Sequence, residues 1–133
     1  MKVLIADDSA LIRERLMTMI SELNGIEIIS EARDGQEALD IIQKLHHDVV
    51  ILDIKMPKGN GIDVLKYIDK NKPSCMVIML TNYPYPQYRE ACMEAGADFF
   101  FDKSTEFTKV PKVLKWLISG EPYDNTDRSV PVV

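Results

Sequence analysis

Five side chains able to take part in phosphoryl transfer stand at the ends of short apolar segments of this chain: Asp7, Asp8, Asp53, Thr81 and Lys103. Three carboxylates brought close together repel one another, and at least one would be driven toward its protonated form. A divalent cation and one lysine would bring such a cluster to zero charge. Oxygen donors without His or Cys favour magnesium or manganese over zinc. A carboxylate nucleophile supported by such a metal, an ammonium and a hydroxyl can form an acyl phosphate.

Two alternating periodicities supply the elements that would bring these side chains together. Apolar runs rich in Val and Ile predict strands over 2–6, 26–32, 48–53, 76–81 and 99–102, and segments with helical spacing lie between them. Alternating strands and helices predict an α/β fold with a parallel sheet covered on both faces. The carboxyl ends of parallel strands share one edge, so we expect the five side chains to meet in one pocket.

Capping residues and prolines indicate where the helices begin. Ser9 and Asp34 are suitable N-caps for the first and second helices. Pro86 restrains the residue before it, so the fourth helix is predicted to begin there. Pro111 fits the first turn of the fifth helix if Thr108 is the N-cap, because first-turn amides have no intrahelical partner.

Length and composition limit the organisation and the location of the protein. The 133 residues suit one domain over 1–120, followed by a flexible tail over 121–133 that has two prolines and no helical stripe. The net charge of −5 argues against direct binding to nucleic acid or to an anionic membrane. No apolar run approaches the roughly 20 residues that cross a bilayer, and acidic residues interrupt the amino-terminal run too early for a signal peptide. Cys75 and Cys92 are expected to be reduced thiols of a cytoplasmic protein.

For three features of the sequence, a structural role competes with a functional one. An aspartate at a strand end is often only a helix cap or part of a solvated turn. His46 and His47 are adjacent and point different ways on a helix, which argues against a shared metal. A tyrosine cluster within 83–88 is consistent with a recognition surface or with a loop packed on the fourth helix.

The motifs together resemble those of response-regulator receivers of two-component signalling. Asp7-Asp8 is the tandem acid after the first strand, and D-x-x-M-P-x-x-x-G runs from Asp53 to Gly61. Thr81, the segment 95–98 (Ala-Gly-Ala-Asp) and Lys103 complete the pattern. The resemblance covers 2–118 and implies a doubly wound (βα)5, flavodoxin-like three-layer sandwich with strand order 2-1-3-4-5.

The resemblance also implies a role for each matching residue. Asp53 would be the phosphoacceptor and, with Asp8, a direct magnesium ligand, and manganese would substitute for magnesium. The backbone carbonyl of Lys55 would be the third protein ligand, and Asp7 would act through water. The remaining roles fall on Thr81 as the switch hydroxyl, Lys103 as the phosphate-sensing cation, and Phe100 as a switch aromatic. Core packing is an equal alternative for Phe100, because neighbouring strand residues alternate faces.

Two departures from the family pattern lead to further predictions. Ser104 stands where proline is usual, and the Lys103–Ser104 peptide bond is predicted to be cis, as it commonly is in the family. Lys55 and Tyr83 flank the path of an attacking water and offer no carboxylate or amide to orient it, so the phosphorylated form is predicted to decay slowly.

The predicted function is that of a phosphorylation switch rather than an enzyme. A sensor histidine kinase or phosphotransfer protein would phosphorylate Asp53, and the fourth helix, fifth strand and fifth helix would present a changed surface to a protein target. The chain is expected to be a monomer or weak dimer. An aspartyl phosphatase is disfavoured, because the second catalytic acid that it needs two residues after the nucleophile is replaced by Lys55. The remaining alternative is the receiver part of a DNA-binding regulator.

Overall fold

A computed structural model describes residues 1–120, which form five strands and five helices in strict alternation. The strands are β1 (Lys2–Ala6), β2 (Ile28–Ala32), β3 (Val49–Leu52), β4 (Met76–Thr81) and β5 (Phe99–Asp102). The helices are α1 (Ala10–Ser21), α2 (Gly35–Lys44), α3 (Gly61–Asn71), α4 (Pro86–Glu94) and α5 (Lys109–Ser119). All strand pairs are parallel, and the order β2-β1-β3-β4-β5 confirms the predicted fold.

Two apolar layers cover the sheet, one on each face. Successive strand residues point to opposite faces, so Val3 and Ile5 belong to the apolar layer that includes α1 and α5, whereas Leu4 belongs to the layer that includes α2, α3 and α4. All four residues of β3 are buried, because this central strand has helices on both sides. The packing makes the sheet a rigid support for the loops at its edges.

The helix starts follow local sequence chemistry. The Ser9 hydroxyl accepts a hydrogen bond from Ile12 N at 3.3 Å, and the Asp34 carboxylate accepts one from Glu37 N at 2.8 Å. Helix α4 begins at Pro86, as predicted. Thr108 occupies the N-cap position of α5, but its side chain makes no capping hydrogen bond. Pro111 therefore lies in the first turn, where its missing N–H costs no helical bond.

The prediction of a cis bond between Lys103 and Ser104 is wrong, since residues 1–120 contain no cis peptide bond. Without proline, the cis form costs about 3–4 kcal/mol. Local contacts favour the trans turn: the Asp102 carboxylate accepts hydrogen bonds from both the N–H and the hydroxyl of Ser104, each at 2.8 Å.

The structure also bears on the expectations about membrane spans and cysteines. Across residues 1–120 no helix combines the length and apolarity needed to span a bilayer. Cys75 and Cys92 are buried free thiols, and burial raises their pKa values to about 12 and about 11. The predicted tail over 121–133 lies outside the described residues.

Candidate functional site

The carboxyl ends of the central strands place the predicted side chains at one edge of the sheet. Backbone pairing continues just beyond the strands, where Asp53 N donates to Ala6 O at 3.0 Å and Lys103 N donates to Thr81 O at 2.9 Å. These bonds set the loops after β1, β3, β4 and β5 side by side. Parallel pairing of the strands therefore places the predicted side chains at the same edge of the sheet, as expected.

Lys103 lies at the centre of the charged cluster. Its Nζ is 2.6 Å from Asp7 Oδ2 and 2.8 Å from Asp53 Oδ2. All three residues are buried, with exposed fractions of 2% for Asp7, 5% for Asp53 and 9% for Lys103, whereas Asp8 is exposed. With three ionised carboxylates and one ammonium, the cluster would carry a net charge of −2.

Burial and pairing act against each other on the ionisation of this cluster. Burial raises the pKa of Asp53, and the hydrogen bond and charge of Lys103 offset only part of that effect. Burial alone would lower the pKa of Lys103, but its hydrogen bonds to Asp53 and Asp7 outweigh burial and raise it. The contacts with the two aspartates therefore favour the cationic form of Lys103, whereas burial disfavours the charged form of Asp53.

Backbone donors orient one oxygen of each buried carboxylate. Ser9 N donates to Asp7 Oδ1, and Ile54 N donates to Asp53 Oδ1, both at 2.8 Å. The loop after Asp53 is held in turn by Gly61, whose N–H donates to Ile54 O at 2.6 Å. A Cβ at Gly61 would lie 1.8 Å from the Asp53 carbonyl oxygen, which explains the glycine at the end of the D-x-x-M-P-x-x-x-G motif.

The three carboxylates suit a hard divalent cation. Ligand oxygens of Asp7, Asp8 and Asp53 all lie within 4.8 Å of one another. The donors are all oxygen, and the exposure of Asp8 leaves the group open to waters and to a phosphoryl oxygen, as magnesium requires. The carbonyl of Lys55, two residues after Asp53, remains a predicted ligand.

Thr81 and Lys55 are linked through the loop after β4. Thr81 is fully buried, and its hydroxyl accepts a hydrogen bond from Tyr83 N at 3.0 Å. The Lys55 ammonium lies 4.3 Å from the centroid of the Tyr83 ring and 5.8 Å from that of Tyr88. Tyr88 also contacts Tyr85, so the tyrosines pack the loop on α4, although Tyr85 remains 52% exposed. These cation–π contacts connect the segment that follows Thr81 at the end of β4 with the loop that follows Asp53.

Phe100 lies in the apolar layer on the α4 side of the sheet. It is 2% exposed, and the Arg89 guanidinium lies 5.6 Å from its ring centroid. Phe99 and Phe101 point to the opposite layer and contact each other. Of the three phenylalanines, Phe100 thus faces the helix expected to change, while its role as a switch remains a prediction.

The two histidines have separate partners. His47 is buried, with Nδ1 3.0 Å from Leu45 O and Nε2 2.9 Å from Ser30 Oγ, and His46 lies 3.5 Å from Asp48. They occupy the opposite edge of the sheet from the acidic pocket.

Arg13 is a member of the site that the sequence did not reveal. Its Nη1 donates to the Asp7 carbonyl at 2.7 Å, and its Nε pairs with Glu31 at 3.2 Å. The available signal was its position five residues after Asp8, in the first turns of α1. Long cations on helices are common, so this position carried little weight.

The fold and the pocket define a doubly wound α/β protein with an acidic site at the carboxyl edge of a five-stranded parallel sheet. The chain belongs to the response regulator receiver domain family, whose model matches residues 3–115. Receiver domains are signalling domains of two-component systems, and they bind Mg²⁺ through acidic residues.

Similar proteins carry this domain in different contexts. The transcriptional regulatory protein LnrK of Bacillus subtilis is 32% identical over 119 residues, which cover 90% of this chain and 54% of LnrK. The protein-glutamate methylesterase/protein-glutamine glutaminase of Pyrococcus horikoshii is 43% identical over 116 residues, 86% of this chain and 32% of that protein. The chain thus spans about half or less of the length of these relatives.

Solved structures of receiver domains superpose over nearly the whole chain. The response regulator domain of Thermotoga maritima CheB has a TM-score of 0.77 at 31% identity, covering 92% of this chain and 98% of that one. The isolated receiver domain of RcsB from Salmonella enterica serovar Typhimurium, in the presence of phosphomimetic BeF3⁻, has a TM-score of 0.82 at 26% identity, covering 98% and 99%.

Proposed function

We propose that the chain is a phosphorylation switch in which Asp53 accepts a phosphoryl group from a histidine kinase or phosphotransfer protein. The single observation that carries the proposal is the buried cluster in which Lys103 lies within 2.8 Å of both Asp7 and Asp53. Such a cluster holds a nucleophilic carboxylate beside a fixed cation and leaves a negative charge for a metal to offset.

The chemistry assigns a task to each side chain. An Asp53 oxygen attacks the phosphorus of the donor phosphohistidine, the bond to the histidine nitrogen breaks, and an acyl phosphate forms. Asp8, Asp53 and the Lys55 carbonyl would hold Mg²⁺, or Mn²⁺ in its place, and Asp7 would reach it through water. The metal would supply positive charge for the phosphoryl oxygens. Lys103 and the Thr81 hydroxyl would stabilise those oxygens as charge develops on them.

Phosphorylation would be transmitted through the loop after β4. A Thr81 hydroxyl that turns toward the phosphoryl group must give up its hydrogen bond with Tyr83 N, which alters the start of α4. Phe100, packed beneath α4, would follow that movement. The surface of α4, β5 and α5 would then present a new shape to a protein target, and the domain, 1–120, would act as a monomer or weak dimer in the cytoplasm without catalysis of its own.

The proposal is tested by loading the protein with acetyl phosphate and weighing it intact. Wild-type protein with Mg²⁺ should gain the mass of one phosphoryl group, and Asp53→Asn or added chelator should abolish the gain. Asp98→Asn is a matched control, since it changes an aspartate beside β5 at the opposite edge of the sheet. Undiminished phosphorylation of Asp53→Asn would overturn the assignment.

A second candidate is the receiver part of a DNA-binding regulator. It is favoured by the similarity to LnrK, of which the chain covers 54%. The phosphorylated surface would then control an attached output domain rather than a separate protein. The length of the native open reading frame discriminates between the two.

A further inference from the structure

All four polar atoms of Asp7 have hydrogen-bonding partners. Its N–H donates to Ala32 O at 3.0 Å, its Oδ1 accepts from Ser9 N at 2.8 Å, and its Oδ2 lies 2.6 Å from the Lys103 ammonium. The remaining atom, the carbonyl oxygen, accepts from Arg13 Nη1 at 2.7 Å. Arg13 is thus the side chain that holds the peptide group between Asp7 and Asp8.

That peptide group controls where Asp8 points. A peptide unit is planar, so fixing the Asp7 carbonyl fixes the direction in which the chain continues to the Asp8 Cα. The Asp8 carboxylate is exposed, yet its oxygens come within 4.8 Å of those of Asp7 and Asp53. Its position therefore depends on the backbone that Arg13 holds.

Arg13 is itself held firmly and its charge is offset. The side chain is 15% exposed and its Nε pairs with Glu31 of β2 at 3.2 Å. Arg33, in the segment before α2, makes an ion pair with Glu37 in the first turn of α2 at the same distance, but its side chain is 73% exposed. Two arginines with the same kind of carboxylate partner thus differ in whether they also bind the acidic loop.

We propose that Arg13 is a positioning residue for the divalent-cation site, acting through the Asp7–Asp8 peptide rather than through its charge. The proposal rests on the proposed function, because it assumes that the three carboxylates bind a metal. Arg13 donates to a backbone carbonyl, and its role is to keep the Asp8 carboxylate facing those of Asp7 and Asp53.

The sign of the effect separates positioning from simple electrostatics. A cation near an acidic cluster repels an incoming Mg²⁺, so deleting the charge of Arg13 should strengthen metal binding if charge were its main contribution. If Arg13 positions the loop, deletion should weaken metal binding instead. The ion pair with Glu31 offsets part of the charge, and the hydrogen bond to the Asp7 carbonyl is the direct contact between Arg13 and the acidic loop.

The test is an isothermal titration of the metal-free full chain with Mg²⁺. Arg13→Met keeps the apolar stem and removes the guanidinium, and it should raise the dissociation constant about tenfold, as loss of an outer-shell partner does at other metal sites. Arg13→Lys restores a donor for the Asp7 carbonyl and should recover much of the affinity. Arg33→Met is the matched control and should bind as wild type does.

Two further measurements separate positioning from a charge effect and from misfolding. The weakening should persist in concentrated KCl, where a charge effect is screened. Fluorescence of Trp116, which packs on Phe99 in the α5 layer, should show that each variant is folded before titration. Wild-type affinity or tighter binding in Arg13→Met would overturn the proposal. Absence of Mg²⁺ binding in the wild type would overturn the proposed function instead.

Discussion

The two edges of the sheet use the same side-chain types in opposite ways. At the amino edge, Asp48 precedes β3 and accepts a hydrogen bond from Lys2 N, and Asp98 precedes β5 and accepts one from Val77 N, both at 2.8 Å. Each of these carboxylates thus caps the first residues of a neighbouring strand. At the carboxyl edge, Asp7 and Asp53 both contact the ammonium of Lys103, and Asp8 lies beside them without an ion pair to Lys103 among the described residues. The first arrangement is complete within the protein, and the second lacks positive charge.

This difference shows why an aspartate at a strand end is ambiguous. One carboxylate with one backbone donor can hold the start of a neighbouring strand. The hydrogen bond with Lys2 N lowers the pKa of Asp48, whereas burial raises the pKa of Asp98 despite its hydrogen bond with Val77 N. Several carboxylates with too few donors raise the free energy of the folded state until a ligand binds. A cluster of the second kind is therefore evidence for function, whereas an isolated pair is evidence for stability.

The largest expected effect comes from removing the Lys103 ammonium, which contacts both Asp7 and Asp53. Lys103→Met removes the cation that contacts the buried Oδ2 atoms of Asp7 and Asp53, and in metal-free protein it should lower the free energy of unfolding by about 3–5 kcal/mol. Saturating Mg²⁺ should restore part of this loss, because the metal binds only the folded state. Urea unfolding with and without chelator measures both effects.

Lys109→Met is the control for that experiment. Lys109 is also buried and its Nζ lies 2.7 Å from Glu106, away from the three aspartates. Its substitution should also destabilise the protein, but by the same amount with and without Mg²⁺. Equal magnesium dependence in the two variants would contradict a cation site specific to the three aspartates.

A smaller effect is expected at the amino edge. Asp98→Ala leaves Val77 N without its acceptor and should lower the free energy of unfolding by about 1–2 kcal/mol. Asp98→Asn keeps an acceptor oxygen and should recover most of the loss. In the same urea measurements, the loss of unfolding free energy in Asp98→Ala should not change with Mg²⁺. A loss that depends on Mg²⁺ would contradict a purely structural role for Asp98.

The sequence predicted the shared pocket but not the difference between the edges. The strand ends and the motif spacing were sufficient to predict that Asp53 and Lys103 lie close together, because parallel pairing aligns the strand ends whatever the side-chain conformations are. The contacts of Arg13 and Asp98 depend on which rotamers packing selects, and periodicity does not encode them. The wrong cis prediction at Ser104 has a similar cause, since the family tendency came with a proline that this chain lacks.

A kinetic effect is expected within the carboxyl edge. Lys55 lies over the Tyr83 ring, and this pair is predicted to screen the water that would attack the phosphoryl group. The double substitution Lys55→Asn, Tyr83→Glu should speed loss of phosphate about tenfold, a change of about 1.4 kcal/mol in barrier. Decay is followed by intact mass after donor removal with Mg²⁺ present. Wild-type protein that decays as fast as the double variant would contradict the screening.

The smallest expected effect is the pH dependence due to His47. Burial lowers the pKa of His47, with a partly opposing hydrogen bond to the Leu45 carbonyl. The unfolded chain therefore binds a proton more readily than the folded one, so His47 costs no stability above its unfolded pKa of about 6.5 and reduces stability as pH falls below it. In metal-free protein, His47→Gln should flatten the unfolding free energy between about pH 6.5 and pH 5. If the pH dependence of the unfolding free energy were the same in His47→Gln as in the wild type, groups other than His47 would cause it.

The central claim, that the three carboxylates at the carboxyl edge form a divalent-cation site, is tested most directly by the effect of Mg²⁺ on wild-type stability. The free energy of unfolding should rise with the logarithm of Mg²⁺ concentration once the site begins to fill. Asp8→Asn should remove that rise, whereas Asp48→Asn should leave it intact. Wild-type stability that is unaffected by Mg²⁺, or an equal rise in Asp8→Asn, would contradict the account.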